Sequence, residues 1–298
     1  RRLQREFAGR RIRALKAPKR GANDKVSVLC HLAGRARYDT LVICDSDMRV
    51  GNDYLRRITA PLREPSVGLV TCLYRGAQPE SLPAVLEALY TVTTFLPSVL
   101  VARRYLRMGF ALGASMALRR EQLRQIGGFE AIADCLADDY ELGARVAATG
   151  RRVHLSDYVT QSILGATTFR EQWDREVRWS KCARVSRPLE YPALLVTFST
   201  PLALLAAASL GFSTLGWGVI FISLLVRWLV AWQIAGHMQD RLLRESWLWL
   251  PLRDLLTAVV WLAAGVGRRV NWRGRSFVLR EGGRLEESLP RQAQQVAR

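Results

Sequence analysis

The sequence predicts an α/β domain followed by α-helical membrane segments. Over residues 1–190, short apolar runs that halt at polar residues alternate with helix-forming stretches, the pattern of a sheet with helices on its faces. From 191 to 226 there is no charged residue, and about 20 apolar residues suffice to span a bilayer. Charge is segregated accordingly: residues 1–192 carry 32 Lys+Arg and 20 Asp+Glu, 193–267 carry 4 and 3, and 268–298 carry 8 and 3. The division expected is an α/β domain over 1–190, transmembrane or interfacial helices over 191–267, and a basic tail over 268–298. With 298 residues, 49% of them hydrophobic, and a net charge of +18, the chain is neither disordered, collagen-like nor a disulfide scaffold. A purely soluble enzyme is disfavoured.

Each element has its own signal. The chain begins Arg1-Arg2-Leu3-Gln4, with nine basic residues in the first twenty. That reads as a fragment whose start was lost rather than as a targeting peptide. Residues 1–10 read as the end of a helix and 11–15 (RIRAL) as an alternating strand. Residues 18–24, with Gly21 and Asn23, form a loop, and a helix follows over 25–32. The apolar run 38–44 stops at Asp45-Ser46-Asp47 and reads as a buried strand; 67–73 is a second, with a helix over 52–63 between them. The alternation suggests a doubly wound sheet, whose ligands sit at the carboxyl ends of strands. Residues 82–101 hold one charge, Glu87, and read as a helix lying in the membrane interface with an apolar face for a greasy substrate. Residues 110–118 form another strand, 121–126 a short helix ended by Gly127-Gly128, and 138–149 and 170–185 two longer helices. The five cysteines, Cys30, Cys44, Cys72, Cys135 and Cys182, are scattered with no CxxC. They read as buried hydrophobes in a reducing compartment, not a zinc site.

Three groups of side chains carry chemistry. Asp45 and Asp47 follow a strand and, as residues i and i+2, face one ligand if the strand continues. Oxygen ligands with open positions suit Mg²⁺ or Mn²⁺ bound together with a diphosphate. Asp138-Asp139 opens a helix, where acids are favoured by the dipole; a carboxylate there beside a substrate hydroxyl can serve as a general base. Arg175, Arg178 and Trp179 share a helical face. Guanidinium forks bind phosphate bidentately, and an indole beside them stacks on a ring.

The motifs occur in the order Gly21-Ala22-Asn23-Asp24-Lys25-Val26, Val42 to Val50 (VICDSDMRV), Val67-Gly68-Leu69-Val70, Leu136-Ala137-Asp138-Asp139-Tyr140 and Arg175-Glu176-Val177-Arg178-Trp179, with membrane segments after them. This series resembles the membrane-bound family-two glycosyltransferases, closest to the ceramide glucosyltransferase branch and its bacterial relatives that glycosylate hopanoids. The likeness is specific over 1–190 and looser beyond, where it includes Val270-Asn271-Trp272-Arg273-Gly274-Arg275. It implies a GT-A type nucleotide-sugar-binding domain and transfer of one hexose, glucose or N-acetylglucosamine, from a UDP-sugar to a membrane lipid hydroxyl, with inversion. It implies that Asp47, with Asp45 beside it, holds the divalent cation, and that Asp139 is the base, with Asp138 where Glu is often found. Arg178 would hold the departing pyrophosphate and Trp179 close the acceptor side. Asn23 and Lys25 would contact the donor. Arg175 stands where processive synthases have Gln, which favours single transfer over polymerisation. The family's N-terminal membrane helix and an earlier strand with an Asp that contacts uracil are not matched here, so the domain is read as lacking its N-terminal strands.

The resemblance also implies a multi-pass protein of a bacterial inner membrane, with a cytoplasmic catalytic domain. For the membrane part, a hairpin of 191–207 and 212–227 places Arg227 at the interface, snorkelling, whereas a span over 215–236 buries it at a cost of at least about 2.5 kcal/mol. The hairpin is the preferred reading. The stretch 255–266 is short and reads as interfacial or re-entrant, leaving the tail with Arg268, Arg269, Arg273 and Arg275 cytosolic. A processive polysaccharide synthase is the alternative within the superfamily, and a basic membrane-anchored binding protein the alternative outside it. A haloacid-dehalogenase-type phosphatase is disfavoured by Arg49 two residues after the second Asp. The basic surface is assigned to anionic lipid headgroups, not to nucleic acid.

Overall fold

A computed structural model describes residues 5–7, 9, 12–106, 108–272 and 274–287. Strands β1 (Thr40–Cys44), β2 (Met48–Arg49), β3 (Val67–Pro79), β4 (Ser115–Arg119) and β5 (Arg152–Gly165) form one sheet in the order β1-β4-β3-β5-β2. β3 and β5 are parallel, but β4 runs antiparallel to both β1 and β3, and β2 antiparallel to β5. The sheet is therefore mixed rather than wholly parallel. Alternation along its strands sorts two cores. Leu69, Met116 and Leu118 point to one face with Val26, Leu142 and Val146, and Val70, Cys72 and Ala117 to the other with Tyr54 and Ile58. Helices α1 (Asp24–Ala33) and α2 (Tyr54–Thr59) cover these faces.

Two expected strands are corrected. Residues 12–20 form no strand, and Arg11 lies outside the described residues, as do 1–4, 8 and 10 of the expected first helix. The alternation there is of basic residues that no neighbouring strand pairs with. Residues 108–114 are irregular, and the strand begins only at Ser115. The reason is local: the Leu112 N–H donates to the Thr71 hydroxyl at 2.9 Å, and that hydroxyl donates to the Leu112 carbonyl, replacing ladder bonds. β5 was not anticipated. Its buried positions include Ser156, Thr160 and Ser162, so its interior lacks an apolar run.

Helix α3 (Leu82–Tyr105) is continuous through a π-helical stretch, Thr91–Phe95. Its buried side, with Leu86, Leu89 and Val92, packs into the protein, while Leu100 and Val101 are exposed. The interfacial reading holds only its far end available. α4 (Arg120–Gln125) and α5 (Asp138–Ala148) complete the sheet's cover, and α6 (Phe169–Ser186) starts from a Thr168/Glu171 capping box.

Beyond α6 lie α7 (Ser199–Ser209), α8 (Thr214–His237), α9 (Arg241–Ser246) and α10 (Leu250–Gly265). Among the described residues, three helices are long and apolar enough to cross a membrane: Leu82–Tyr105, Thr214–His237 and Arg241–Gly265. The second helix thus runs ten residues beyond the end expected for the hairpin, because α8 continues straight through Arg227 to His237. The charge of Arg227 is met inside: its Nη2 lies 2.8 Å from Asp254 Oδ1 and donates to Thr93 Oγ1 at 3.0 Å, and Thr200 donates to Asp254 at 2.9 Å. The third apolar stretch is likewise longer than expected. Arg253 and Asp254, which seemed to end it, are buried in ion pairs within the helix.

The described part of the tail is folded. β6 (Arg269–Trp272), β7 (Arg275–Leu279) and β8 (Leu285–Glu287) form an antiparallel sheet. It docks on the α/β domain through Leu285 N–H to Asp134 O at 2.7 Å and Leu136 N–H to Gly283 O at 2.9 Å. Arg273 and residues 288–298 lie outside the described residues.

Candidate active site

Asp45, Ser46 and Asp47 form a turn between β1 and β2, not a strand continuation, so the i, i+2 alternation does not orient them. The turn is pinned at both ends: Asp45 N–H donates to Ala114 O at 3.1 Å, and Ile163 N–H donates to Asp47 O at 2.8 Å. Asp45 is half-buried and Asp47 exposed.

Lys25 joins this turn to the second carboxylate pair. Its Nζ lies 2.8 Å from Asp45 Oδ1 and 3.9 Å from Asp138 Oδ2, and donates to Gly113 O at 3.1 Å. Burial opposes its charge, but Asp138 and Asp45 outweigh that and hold the ammonium above its ordinary pKa. Burial raises Asp45, against the pull of Lys25. Asn23 caps α1, accepting from Val26 N–H, while its amide donates to Cys135 O at 2.8 Å and to Asp138 Oδ1 at 3.4 Å. Asn23 is wholly buried. Asp138 is buried too, and burial pushes its carboxyl up to about 6 although Lys25 and Asn23 favour the charged form.

Asp139 is held by backbone. The Gly113 N–H donates to its Oδ2 at 2.7 Å and the Tyr140 N–H to its Oδ1 at 2.8 Å. It remains half-buried. Carboxylate oxygens carry further lone pairs, so these two bonds orient the group and leave capacity for a hydroxyl. A Cβ on Gly113 would stand 2.9 Å from Asp139 Oδ2, which explains the glycine.

On α6, Arg178 stacks over the Trp272 ring at 5.6 Å. One turn on, burial pushes the Cys182 thiol up to about 12, with Arg178 lowering it and Asp139 and Asp138 raising it. Arg175 instead pairs with Glu87 of α3, whose side chain is buried. Trp179 is half-buried on α6. The structure thus gathers Asn23, Lys25, Asp45, Asp138 and Asp139, keeps Asp47 in the same turn as Asp45, sets Arg178 against Trp272, and turns Arg175 to the neighbouring helix. Reasoning from sequence missed Gly113, Trp272 as partner of Arg178, and Arg275, which donates to Asp24 Oδ1 at 3.0 Å beside Asn23. Arg275 lies in the Val270–Arg275 stretch that carries the looser likeness, but only the tail's return reveals its contact with Asp24.

Among the described residues, no three His, Cys, Asp or Glu side chains cluster closely enough to hold a metal by themselves. The donor set is hard oxygen, with Asp47 exposed and Asp45 already neutralised by Lys25. Such a set fits a cation that shares its coordination with phosphate oxygens.

The described residues thus combine a mixed α/β sheet, carboxylates gathered around Lys25 at a strand end, and helices long and apolar enough to cross a membrane. The chain belongs to Glycosyl transferase family 21, whose pattern it matches over residues 1–285. It is 24% identical over 276 residues to ceramide glucosyltransferase 3 of Caenorhabditis elegans, covering 89% of this chain and 59% of that protein. To ceramide glucosyltransferase 1 of the same organism it is 23% identical over 282 residues, covering 90% and 59%. The chain thus spans 59% of the length of these curated relatives. It is also similar to the solved glucosyl-3-phosphoglycerate synthase of Mycobacterium tuberculosis, with 18% identity, a TM-score of 0.30, and coverage of 64% of this chain and 58% of that one.

Proposed function

We propose that the protein transfers one hexose, glucose or N-acetylglucosamine, from a UDP-sugar to a hydroxyl of a membrane lipid such as a ceramide or a hopanoid polyol, inverting the anomeric configuration. The observation that carries this reading is the convergence of two distant acid pairs on Lys25. Asp139, oriented by two backbone N–H groups, is the base that takes the acceptor's proton as its oxygen attacks the anomeric carbon. Lys25 and Arg178 face the charge that develops on the departing diphosphate, an electrostatic stabilisation that usually dominates such steps. Asp138, Asn23 and Gly113 hold Lys25 and Asp139 in place.

Asp47, with Asp45 behind it, would hold a Mg²⁺ or Mn²⁺ ion, which when bound screens the donor's diphosphate. The site's own charges leave room for it, since the carboxylates of Asp45, Asp47, Asp138 and Asp139 outnumber the cations of Lys25 and Arg178. Helices long and apolar enough to cross a membrane support a lipid as the acceptor.

The test is incubation of the reconstituted protein with labelled UDP-sugars and a bacterial lipid extract, with products identified by mass. A singly glycosylated lipid formed only with divalent cation is expected. A growing polysaccharide, or no transfer while UDP still protects against unfolding, would overturn the reading.

A further inference from the structure

Lys25 does not reach the acid pairs from a free-standing helix. Residues 21–24 form the bend that leads into α1, and one side of that bend lies against the segment that ends at Asp138. The Ala22 N–H donates to Asp134 Oδ1 at 2.8 Å and the Asn23 N–H to Ala133 O at 2.9 Å. The approach is close: a Cβ on Gly21 would stand 2.6 Å from Ala133 O.

The other side of the bend is held from the far end of the chain. Arg275 of β7, 251 residues beyond Asp24, donates from Nη2 to Asp24 Oδ1 at 3.0 Å and to Ala22 O at 3.3 Å. The guanidinium is itself placed. It lies over the ring of Phe277, its neighbour on the same strand face, at 5.0 Å, and its Nη1 meets Glu287 Oε1 at 3.4 Å. Phe277 is wholly buried, in one core with Leu136 and Ala22. The side chains of Arg275 and Asp24 are 28% and 36% exposed, and an ion pair so open to water adds little to stability. What the contact supplies is geometry. Fixing Ala22 and Asp24 fixes the base of the Lys25 side chain, whose Nζ meets Asp45 at 2.8 Å and Gly113 O at 3.1 Å. The tail sheet holds the opposing arm as well, through Leu136 N–H to Gly283 O and Leu285 N–H to Asp134 O. Both segments that bring Lys25 and Asp138 together therefore rest on it.

We propose that Arg275 is a positioning residue of the transfer reaction: by gripping the 21–24 bend it aims Lys25 at Asp45 and Asp138, so that the returning tail sheet completes the active site. The inference rests on the transferase reading above, in which Lys25 faces the departing diphosphate. A lysine at this position carries its charge at a point instead of on a planar fork, and so serves Asp24 and Ala22 together less well.

The experiment uses the whole chain reconstituted in phosphatidylcholine vesicles and reads the bend apart from turnover. Without substrates, Arg275→Met is expected to speed hydrogen exchange in 21–27 at least about threefold, with exchange in 67–79 unchanged. In lipid glycosylation it is expected to lower kcat about 10–100-fold, the scale of a misplacement of about 1 Å, with the KM for lipid unchanged. Arg275→Lys is expected to recover part of that loss. In a Lys25→Met background Arg275→Met is expected to cost no further kcat, because the two residues act as a unit. If Arg275→Met fails to fold, Asp24→Ala removes the same contact from its other end and is expected to give the same pattern of exchange and kcat. Unchanged exchange, or an undiminished further loss of kcat in the Lys25→Met background, overturns the positioning role and leaves the proposed function standing. Wild-type protein that transfers sugar to lipid from no UDP-sugar overturns the proposed function, and this role with it.

Discussion

Glu176 and Arg253 meet through two parallel hydrogen bonds, of 2.7 and 2.8 Å, with side chains that are 3% and 0% exposed. Each has a charged neighbour in sequence that does the same elsewhere: Arg175 pairs with Glu87, and Asp254 with Arg227. Three ion pairs thus tie α6, α3, α10 and α8 together. Removing one partner of a buried pair strands the other charge. Arg253→Met is expected to cost about 3–5 kcal/mol, and Glu176→Met/Arg253→Met together much less. Thermal unfolding in detergent with both variants checks this; equal losses in the single and double variants would contradict it.

Asp139→Asn is expected to lower the transfer rate roughly 10²–10⁴-fold while UDP binding stays intact. Single-turnover assays beside UDP titration separate the two. A rate within a factor of a few of wild type would remove Asp139 from the role of base.

Lys25→Met leaves Asp45 and Asp138 without their shared cation. It is expected to destabilise the fold by about 1–3 kcal/mol and to weaken UDP protection against unfolding. Lost stability with unchanged UDP affinity would make Lys25 a structural residue only.

The Asp138 carboxyl, raised by burial from an ordinary 3.8 to about 6, holds its proton more tightly folded than unfolded. Its contribution to stability is therefore full below about pH 4 and is lost as pH rises through 6. Wild type should lose more melting temperature between pH 4 and 6.5 than Asp138→Asn does. Parallel melting curves for the two would place the carboxyl's titration at its usual range.

Gly143→Ala would bring a Cβ within 2.6 Å of Phe110 Cα and against the Ala111 nitrogen. Those residues belong to the loop that carries Gly113 to Asp139. Overpacking of this kind costs about 1–3 kcal/mol, and here it should also depress turnover beyond what lost stability explains. Activity measured well below the unfolding transition tests it.

Much of this was legible from residues alone. The halt of an apolar run at Asp45, the acids opening a helix at Asp138 and the face of Arg178 are local signals, and each fell on the element expected. What failed to read was relational. Arg227 looked unaffordable inside a span because its partner Asp254 lies 27 residues on, in a stretch that itself looked too charged. β5 escaped because its interior is hydroxylic, and Gly113 because its service to Asp139 is rendered by backbone. Arg175 lies on the face foreseen, yet Glu87 rather than a phosphate takes its charge.

The docking of β6–β8 against Asp134 and Leu136 fixes a parity. A polypeptide that leaves the α/β domain after Ser186 and returns to touch it traverses any barrier an even number of times, or never. The helix Leu82–Tyr105, bracketed by hydrogen-bonded neighbours β3 and β4, cannot traverse it singly. Whatever α8 and α10 cross, Val185 at the start of that excursion and Val270 and Phe277 at its end, packed together in one core, lie on the same side of it.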